Sequence, residues 1–305
     1  LIPLGGYVKM AGDEPDPEKI KGESWEFLSK TPWQKIKIAF AGPVVNYIFA
    51  LFIFIFVFLV GFPAYTTKIG DFVEGYPAKA SGLALGDKIT KVNGISVEMW
   101  DDLIYELNKL EKTEVVLEYT RGTDVKEIKI DTKKEDRTDI FGKKTTAYLL
   151  GIRPAEEMIS KKYGVFQAVS LGTKKLLNLS ILTYKSIWMI ATGQMSLKKS
   201  ITGPIGIAMI TGKTAKSGLI HLIHLMGLLS AALALFNFLP IPVLDGGHVV
   251  FYLFELITGK QLSLKFQDVC LKIGMGLLIT LMVVVFYNDI VNFGLWGKIV
   301  GLARR

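Results

Sequence analysis

Residues 40–62 form 23 consecutive positions without a charged side chain, and this run limits the fold more than any other feature of the chain. At about 1.5 Å per helical residue it is long enough to cross a hydrocarbon core of roughly 30 Å. A wholly water-soluble fold does not fit, and the composition agrees: half of the 305 residues are apolar and the mean hydropathy is +0.37. Lys30, Lys35 and Lys37 flank the run on its N-terminal side, and no charge follows it until Lys68. The bias of cytosolic loops toward Lys and Arg therefore places its N-terminal end in the cytosol and the residues after it outside. A transmembrane helix is expected over 36–62.

A second apolar stretch begins near Gly218, holds His221 and His224 near its start, and meets no charge until Asp245. Its end is irregular. Asn237, Pro240, Pro242, Asp245, Gly246, Gly247 and His248 fall where a helix would still lie at membrane depth. Such backbone survives there only when packed in protein or lining a wet cavity. A transmembrane unit is expected over 218–258, and a third span over 269–290 with Lys272 tolerated at the interface. Lys260, Lys265 and Lys272 mark the intervening loop as cytosolic, whereas Lys298, Arg304 and Arg305 would then lie outside, against the rule.

Between the first two spans the chain has two characters. Residues 65–155 are polar, mixed in charge and rich in alternating runs such as 114–119 and 125–130, the pattern of a small soluble domain. Residues 163–193 instead mix Phe166, Val169, Leu176, Leu177, Ile181, Tyr184 and Trp188 with Lys174, Lys175 and Lys185, which suits a helix on a membrane surface or against other helices. The net charge is +8, and positions 158–244 hold nine lysines and no carboxylate. That bias points to anionic lipid rather than nucleic acid. The single cysteine, Cys270, excludes an internal disulfide and a multi-thiolate metal site. The first residue is Leu1, and no secretory signal follows it, so the chain reads as the tail of a longer protein.

Asp245 carries the chemistry. An ionisable group within a span costs about 2.5 kcal/mol or more, so it marks a functional site by default. The alternative is an interfacial aspartate capping the next helix, with Gly246 and Gly247 as a loop. Asn237, eight residues earlier with two prolines between, favours function. The segment can turn an amide and a carboxylate into one cavity and leave backbone groups free to hold an extended chain. A carboxylate with histidines from elsewhere is a normal catalytic zinc set. His221 and His224 are about 30 Å away along a straight helix, too far to share a metal. His248 follows Asp245 by three residues, a weak metal signal alone, and the sequence contains no H-E-x-x-H.

Asn237-x-x-Pro240-x-Pro242-x-Leu244-Asp245-Gly246-Gly247 resembles the N-x-x-P-x-P-x-L-D-G-G motif of the site-2 protease family, the zinc intramembrane metalloproteases, and its bacterial RseP-like branch in particular. Residues 2–10, 41–46 at the start of a span, and 203–208 before the motif helix resemble further stretches of that branch. The resemblance implies a polytopic α-helical membrane core, with three spans in this chain, and an N-terminal membrane-associated β-loop over 1–14. It implies Zn2+ bound by Asp245 and by two histidines of an H-E-x-x-H helix expected upstream of Leu1, whose glutamate activates water. Asn237, together with Pro240, Pro242 and Gly246, would hold the substrate backbone. The implied substrates are membrane-anchored proteins such as anti-sigma factors or signal-peptide remnants, and the implied location is the bacterial inner membrane, amid its lipids.

Residues 77–94, followed by Trp100-Asp-Asp-Leu103, resemble the core of a protease-associated PDZ domain. Gly86-Asp87 and Asn93-Gly94 are turn signals between apolar strands, and 97–110 reads as the helix flanking a groove. An inserted α+β PDZ domain over 65–155, outside the cytosol, is the implied architecture. Its open edge would lie near 68–73, with Ile69, Gly70 and Phe72 in the groove. Such a domain binds peptides by strand addition or acts as a steric filter, and the resemblance favours the filter. The alternative function is a non-catalytic membrane PDZ adaptor. A transporter fits less well, because the spans are few and no internal repeat is present.

Overall fold

The computed structural model describes residues 23, 25–27, 29–110, 112–138, 144–195 and 202–292. The β-loop expected over 1–14 and the C-terminal cations Lys298, Arg304 and Arg305 lie outside them. In chain order the described elements begin with α1 (Pro32–Val60), β1 (Phe62–Tyr65), β2 (Ile69–Phe72), β3 (Lys88–Val92), β4 (Ile95–Ser96), α2 (Trp100–Asn108) and β5 (Glu114–Arg121). They continue with β6 (Asp124–Asp131), β7 (Lys133–Thr138), β8 (Lys144–Leu149), β9 (Ile152–Pro154) and β10 (Met158–Lys161). The helices α3 (Val165–Ala191), α4 (Pro204–Ser217), α5 (Leu219–Asn237), α6 (Asp245–Thr258) and α7 (Leu264–Asn292) follow. The chain divides into two compact units, one of 1–55, 172–184 and 197–305, the other of 56–171 and 185–196.

The first unit is helical. Helix α1 starts earlier than the expected 36–62 because Thr31 and Gln34 cap each other. The Thr31 amide donates to Gln34 Oε1 at 3.0 Å and the Gln34 amide to Thr31 Oγ1 at 3.4 Å. Pro32 occupies the first helical position, where a missing N–H does no harm. Lys35 and Lys37 consequently lie inside the helix, and residues 41–46, expected at the start of a span, lie well within it. Pro43 therefore lies inside α1 and deprives the Ala39 carbonyl of its intrahelical donor without ending the helix. Ala50, Phe54, Leu176 and Ala231 bring α1, α3 and α5 together as a buried cluster. Small residues permit the approach: a Cβ on Gly227 would stand 2.6 Å from Ile53 Cγ2. Ser230 Oγ donates to the Asn46 carbonyl at 2.9 Å, and the Tyr47 and Ser180 hydroxyls share a hydrogen bond of 2.9 Å.

Among the described residues three helices are long and apolar enough to cross a membrane, within Pro32–Val60, Leu219–Asn237 and Lys265–Val291. They leave Phe49, Phe52, Leu233, Ile273 and Val283 exposed, as lipid-facing surfaces require. The unit expected over 218–258 is two helices, because 238–244 leaves helical geometry at Pro240 and Pro242. The third span is longer than 269–290, and its polar start is stabilised by Lys272 donating to Asp268 one turn earlier at 2.6 Å.

The second unit centres on an antiparallel sheet in the order β4-β3-β5-β6. Its core gathers Ile69, Ile89, Val92, Leu103, Val115, Leu117 and Ile130, the inward positions of alternating strands and of α2, with Leu83 and Leu150 from the connecting segments. Asn93 and Gly94 both have positive φ, 48° and 81°, the mirror-image turn that matches strand twist, and Val92 pairs Ile95 across it. Pairing extends beyond the expected 65–155, since β1 and β10 form a ribbon from Phe62↔Lys161 to Tyr65↔Met158. Asp87 is buried at the edge of this core. Arg121 donates from Nε and Nη2 to its two oxygens, each at 2.8 Å, and the Ala84 amide donates at 2.8 Å. Burial alone would raise the Asp87 carboxyl, but Arg121 and the Ala84 amide outweigh it and hold it below the usual range.

Candidate functional site

The turn between α5 and α6 is built from backbone contacts. The Leu239 amide donates to the Phe236 carbonyl at 3.0 Å, Ile241 to Leu239 at 2.8 Å, Leu244 to Ile241 at 2.8 Å and Gly247 to Leu244 at 2.9 Å. This chain of short bonds folds 238–244 back against the start of α6. The fold-back explains the paired glycines. A Cβ on Gly246 would lie 2.4 Å from the Leu239 carbonyl oxygen, and one on Gly247 2.1 Å from that of Ile241. Helix α7 closes the other side, where a Cβ on Gly274 would meet Val243 Cγ2 at 2.7 Å.

Asp245 is the first residue of α6, so its carboxylate stands at the positive end of a helix dipole. It is half-buried. Its Oδ2 lies 3.8 Å from the position a Cβ would take on Gly42, an exposed glycine next to Pro43 in α1. Among the described residues no hydrogen bond reaches this carboxylate. Asn237 closes α5 and is half-buried, Pro240 is exposed and Pro242 half-buried. Gly246 is buried under the Phe238 and Leu239 carbonyls, so its place is in packing rather than at a surface open to substrate.

His221 and His224 share α5, three residues apart, and His248 lies in α6. His224 packs its ring on Phe54 of α1 at 5.7 Å between centroids. His248 stacks on Tyr252 at 6.4 Å and meets Phe251 edge-on. A catalytic zinc takes three protein ligands and a water. A half-buried carboxylate free of hydrogen-bond donors suits one of those positions. Among the described residues no group of three His, Cys, Asp or Glu converges, so they fit one corner of such a site and not the whole.

In the second unit, Ile69 is buried and its main chain is engaged: its amide donates to the Asp87 carbonyl and its carbonyl accepts from Gly86, both at 2.8 Å. Gly70 faces β9, where an added Cβ would lie 2.5 Å from Ala155 Cα. Phe72 packs against the core, and its amide is taken by Asp71 Oδ1 at 2.8 Å. β2 pairs with β9 along one side, so the edge expected at Ile69 and Gly70 is not open there.

Sequence reasoning missed Gly274 and gave Gly42 no place of its own within the family-like stretch 41–46; both carry no chemistry and become significant only through what packs on them. It also missed the polar face of α6. Glu255, one residue short of three turns beyond Asp245, meets Lys35 of α1 with Nζ 3.3 Å from both carboxylate oxygens. A charge read as a membrane flank is thus a buried helix contact.

Comparison with known proteins agrees with the motif. Relatives from Clostridium acetobutylicum, Rickettsia conorii and Staphylococcus aureus each carry the name "Putative zinc metalloprotease". The Clostridium protein is 35% identical over 292 residues, 95% of this chain and 81% of its own. The Rickettsia protein is 35% identical, with 96% and 83% covered, and the Staphylococcus protein 32% identical, with 87% and 61% covered. Among solved structures, the PDZ domain of an SdrC-like protein from Listeria innocua is 20% identical over 30% of this chain and 96% of its own, at a TM-score of 0.24, too low to establish a shared fold. The sequence profile of Peptidase family M50 matches residues 1–281, and the chain belongs to that family, the site-2 proteases.

Proposed function

We propose that this chain forms part of a zinc-dependent endopeptidase that cuts membrane-anchored substrates within or near a transmembrane segment. The observation that carries the reading is Asp245, a half-buried carboxylate without a hydrogen-bond donor among the described residues, presented by a turn of fixed shape between apolar helices. A charge in such a place is stabilised by a cation. Asp245 would supply one oxygen ligand, and the histidines of an H-E-x-x-H helix that this sequence does not contain would supply two more. Bound zinc would polarise the scissile carbonyl and activate water.

The chain's own residues would prepare the substrate. A peptide bond inside a helix must be drawn out before it can be attacked, and the half-buried Asn237 amide, at the point where α5 ends, can both donate to and accept from an extended main chain. Pro240 and Pro242 keep that stretch from closing into helix. The second unit would be a PDZ domain on the outer face of the bacterial inner membrane. Because Ile69 and Gly70 are already engaged, steric exclusion of untrimmed ectodomains fits it better than strand addition at those residues. Anti-sigma factors and signal-peptide remnants are the substrate classes expected.

The test is metal analysis by inductively coupled plasma spectrometry on the full-length protein beside Asp245→Asn. Zinc content should fall in the variant, and unchanged content rejects Asp245 as a ligand. Cleavage of a transmembrane reporter should be lost in Asn237→Ala, and full activity there removes the substrate role.

A further inference from the structure

Helices α1 and α6 meet at two levels, and the contacts run in opposite chain directions. At one level the Cβ position of Gly42 lies 3.8 Å from Asp245 Oδ2. At the other, Nζ of Lys35 stands 5.9 Å from the centre of the Tyr252 ring and 3.3 Å from each carboxylate oxygen of Glu255. Lys35 precedes Gly42 by seven residues and Tyr252 follows Asp245 by seven. Seven residues are close to two turns, about 10.5 Å of rise, so each helix turns one face to the other at both levels.

The lower level is closed from water. Lys35 is 2% exposed and Glu255 12%. Gln261 Nε2 donates to Glu255 Oε1 at 2.9 Å, while Phe27 and His248 cover the Tyr252 ring. Apolar helix faces can slide past each other at little cost. A buried ion pair cannot slide, because either charge without the other is stranded in a medium that does not solvate it. Such pairs add little net stability over apolar residues of the same shape and act best as markers of register.

We propose that Lys35 and Glu255 set the axial register of α6 on α1 and so hold the Asp245 carboxylate opposite Gly42. They are positioning residues and touch nothing at the reaction centre. Their functional importance rests on the reading of Asp245 given above, but the register is independent of any metal.

The experiment is disulfide trapping in membranes, in full-length protein with its native cysteines, Cys270 among them, replaced by serine. The probe pair is Gly42→Cys with Asp245→Cys. A control pair on α1 and α5, Gly227→Cys with Ile53→Cys, has its Cβ positions 3.2 Å apart and does not involve α6. With Lys35 and Glu255 intact, mild oxidation should join both pairs. Lys35→Met should slow the probe pair about tenfold by letting other registers populate, with the control pair unchanged. Lys35→Arg, and the exchange Lys35→Glu with Glu255→Lys, should restore the probe pair.

Undiminished trapping in Lys35→Met overturns the proposal. So does an exchange variant that keeps the control cross-link and still fails at the probe. Should Lys35→Met lose both cross-links by misfolding, the exchange variant decides alone: a restored probe supports the register, and any failure at the probe overturns it. If the register behaves as expected while Asp245→Asn keeps its zinc, the positioning stands and the metal reading falls.

Discussion

Gly247→Ala should damage the turn beside Asp245, and the same substitution at Gly276 should not. The chemistry of the two changes is identical and only the surroundings differ. The new methyl at 247 would stand 2.1 Å from the Ile241 carbonyl oxygen, 2.4 Å from its carbon and 2.5 Å from Pro242 Cα, all backbone atoms that no rotamer change can move. Relief requires the 241–244 backbone to retreat by about an ångström, an overpacking strain of about 1–3 kcal/mol. That movement stretches the Leu244–Ile241 and Gly247–Leu244 hydrogen bonds, worth about 1 kcal/mol each. Alanine recovers about 1 kcal/mol of helix propensity, leaving a net loss of about 2–4 kcal/mol. At Gly276 nothing lies within 4 Å, so only the propensity gain remains. Thermal unfolding of the detergent-solubilised protein, followed by near-ultraviolet circular dichroism, should place Gly247→Ala well below wild type and Gly276→Ala at or above it. Coincident curves for the two variants would refute the packing argument.

Further outcomes follow from other contacts. Asp289, 2% exposed, accepts the amides of Gly203 and Gly206 at 2.9 Å each, so Asp289→Ala strands two buried donors and should cost about 2–4 kcal/mol. Hydrogen exchange at the Gly206 amide should quicken in that variant, and unchanged protection would count against the tether. Because Asp87 is held below its usual range in the fold, the Asp87–Arg121 contribution is complete above the unfolded value of about 4 and is lost as pH falls through the lower folded one. An acid titration of stability should therefore be flatter in Asp87→Asn, and parallel slopes would contradict this. Gly151→Ala sets a methyl 2.0 Å from Tyr76 Cβ at a φ of +80°, so it should disrupt the second unit more than Gly75→Ala, where φ is also positive but nothing lies within 4 Å. Equal stability of those two variants would refute the packing of Tyr76 on Gly151 as the cause.

The parts of the fold legible in the sequence were those written in composition or in local backbone rules. A run without charge must be helical at membrane depth, and Asn93-Gly94 turns because both residues tolerate positive φ. The P-x-P segment and Asp245 stood out because proline and carboxylate violate the local apolar pattern. What escaped was set by partners distant in sequence. Lys35 looked like a flanking charge because Glu255, its partner, lies 220 positions away. Helix α1 began earlier than its hydropathy suggested because Thr31 and Gln34 cap it, and a cap permits charged residues within the first turns. The strand that pairs with β2 escaped for a similar reason, since β9 stands far along the chain, with Pro154 opposite Ile69.

The turn that carries Asp245 is held by carbonyl-to-amide bonds and by the absence of side chains at Gly246 and Gly247, not by charge. Ionic strength, chelating agents and moderate changes in acidity therefore have little to act on within it. The turn should keep its shape whether or not a cation stands beside Asp245.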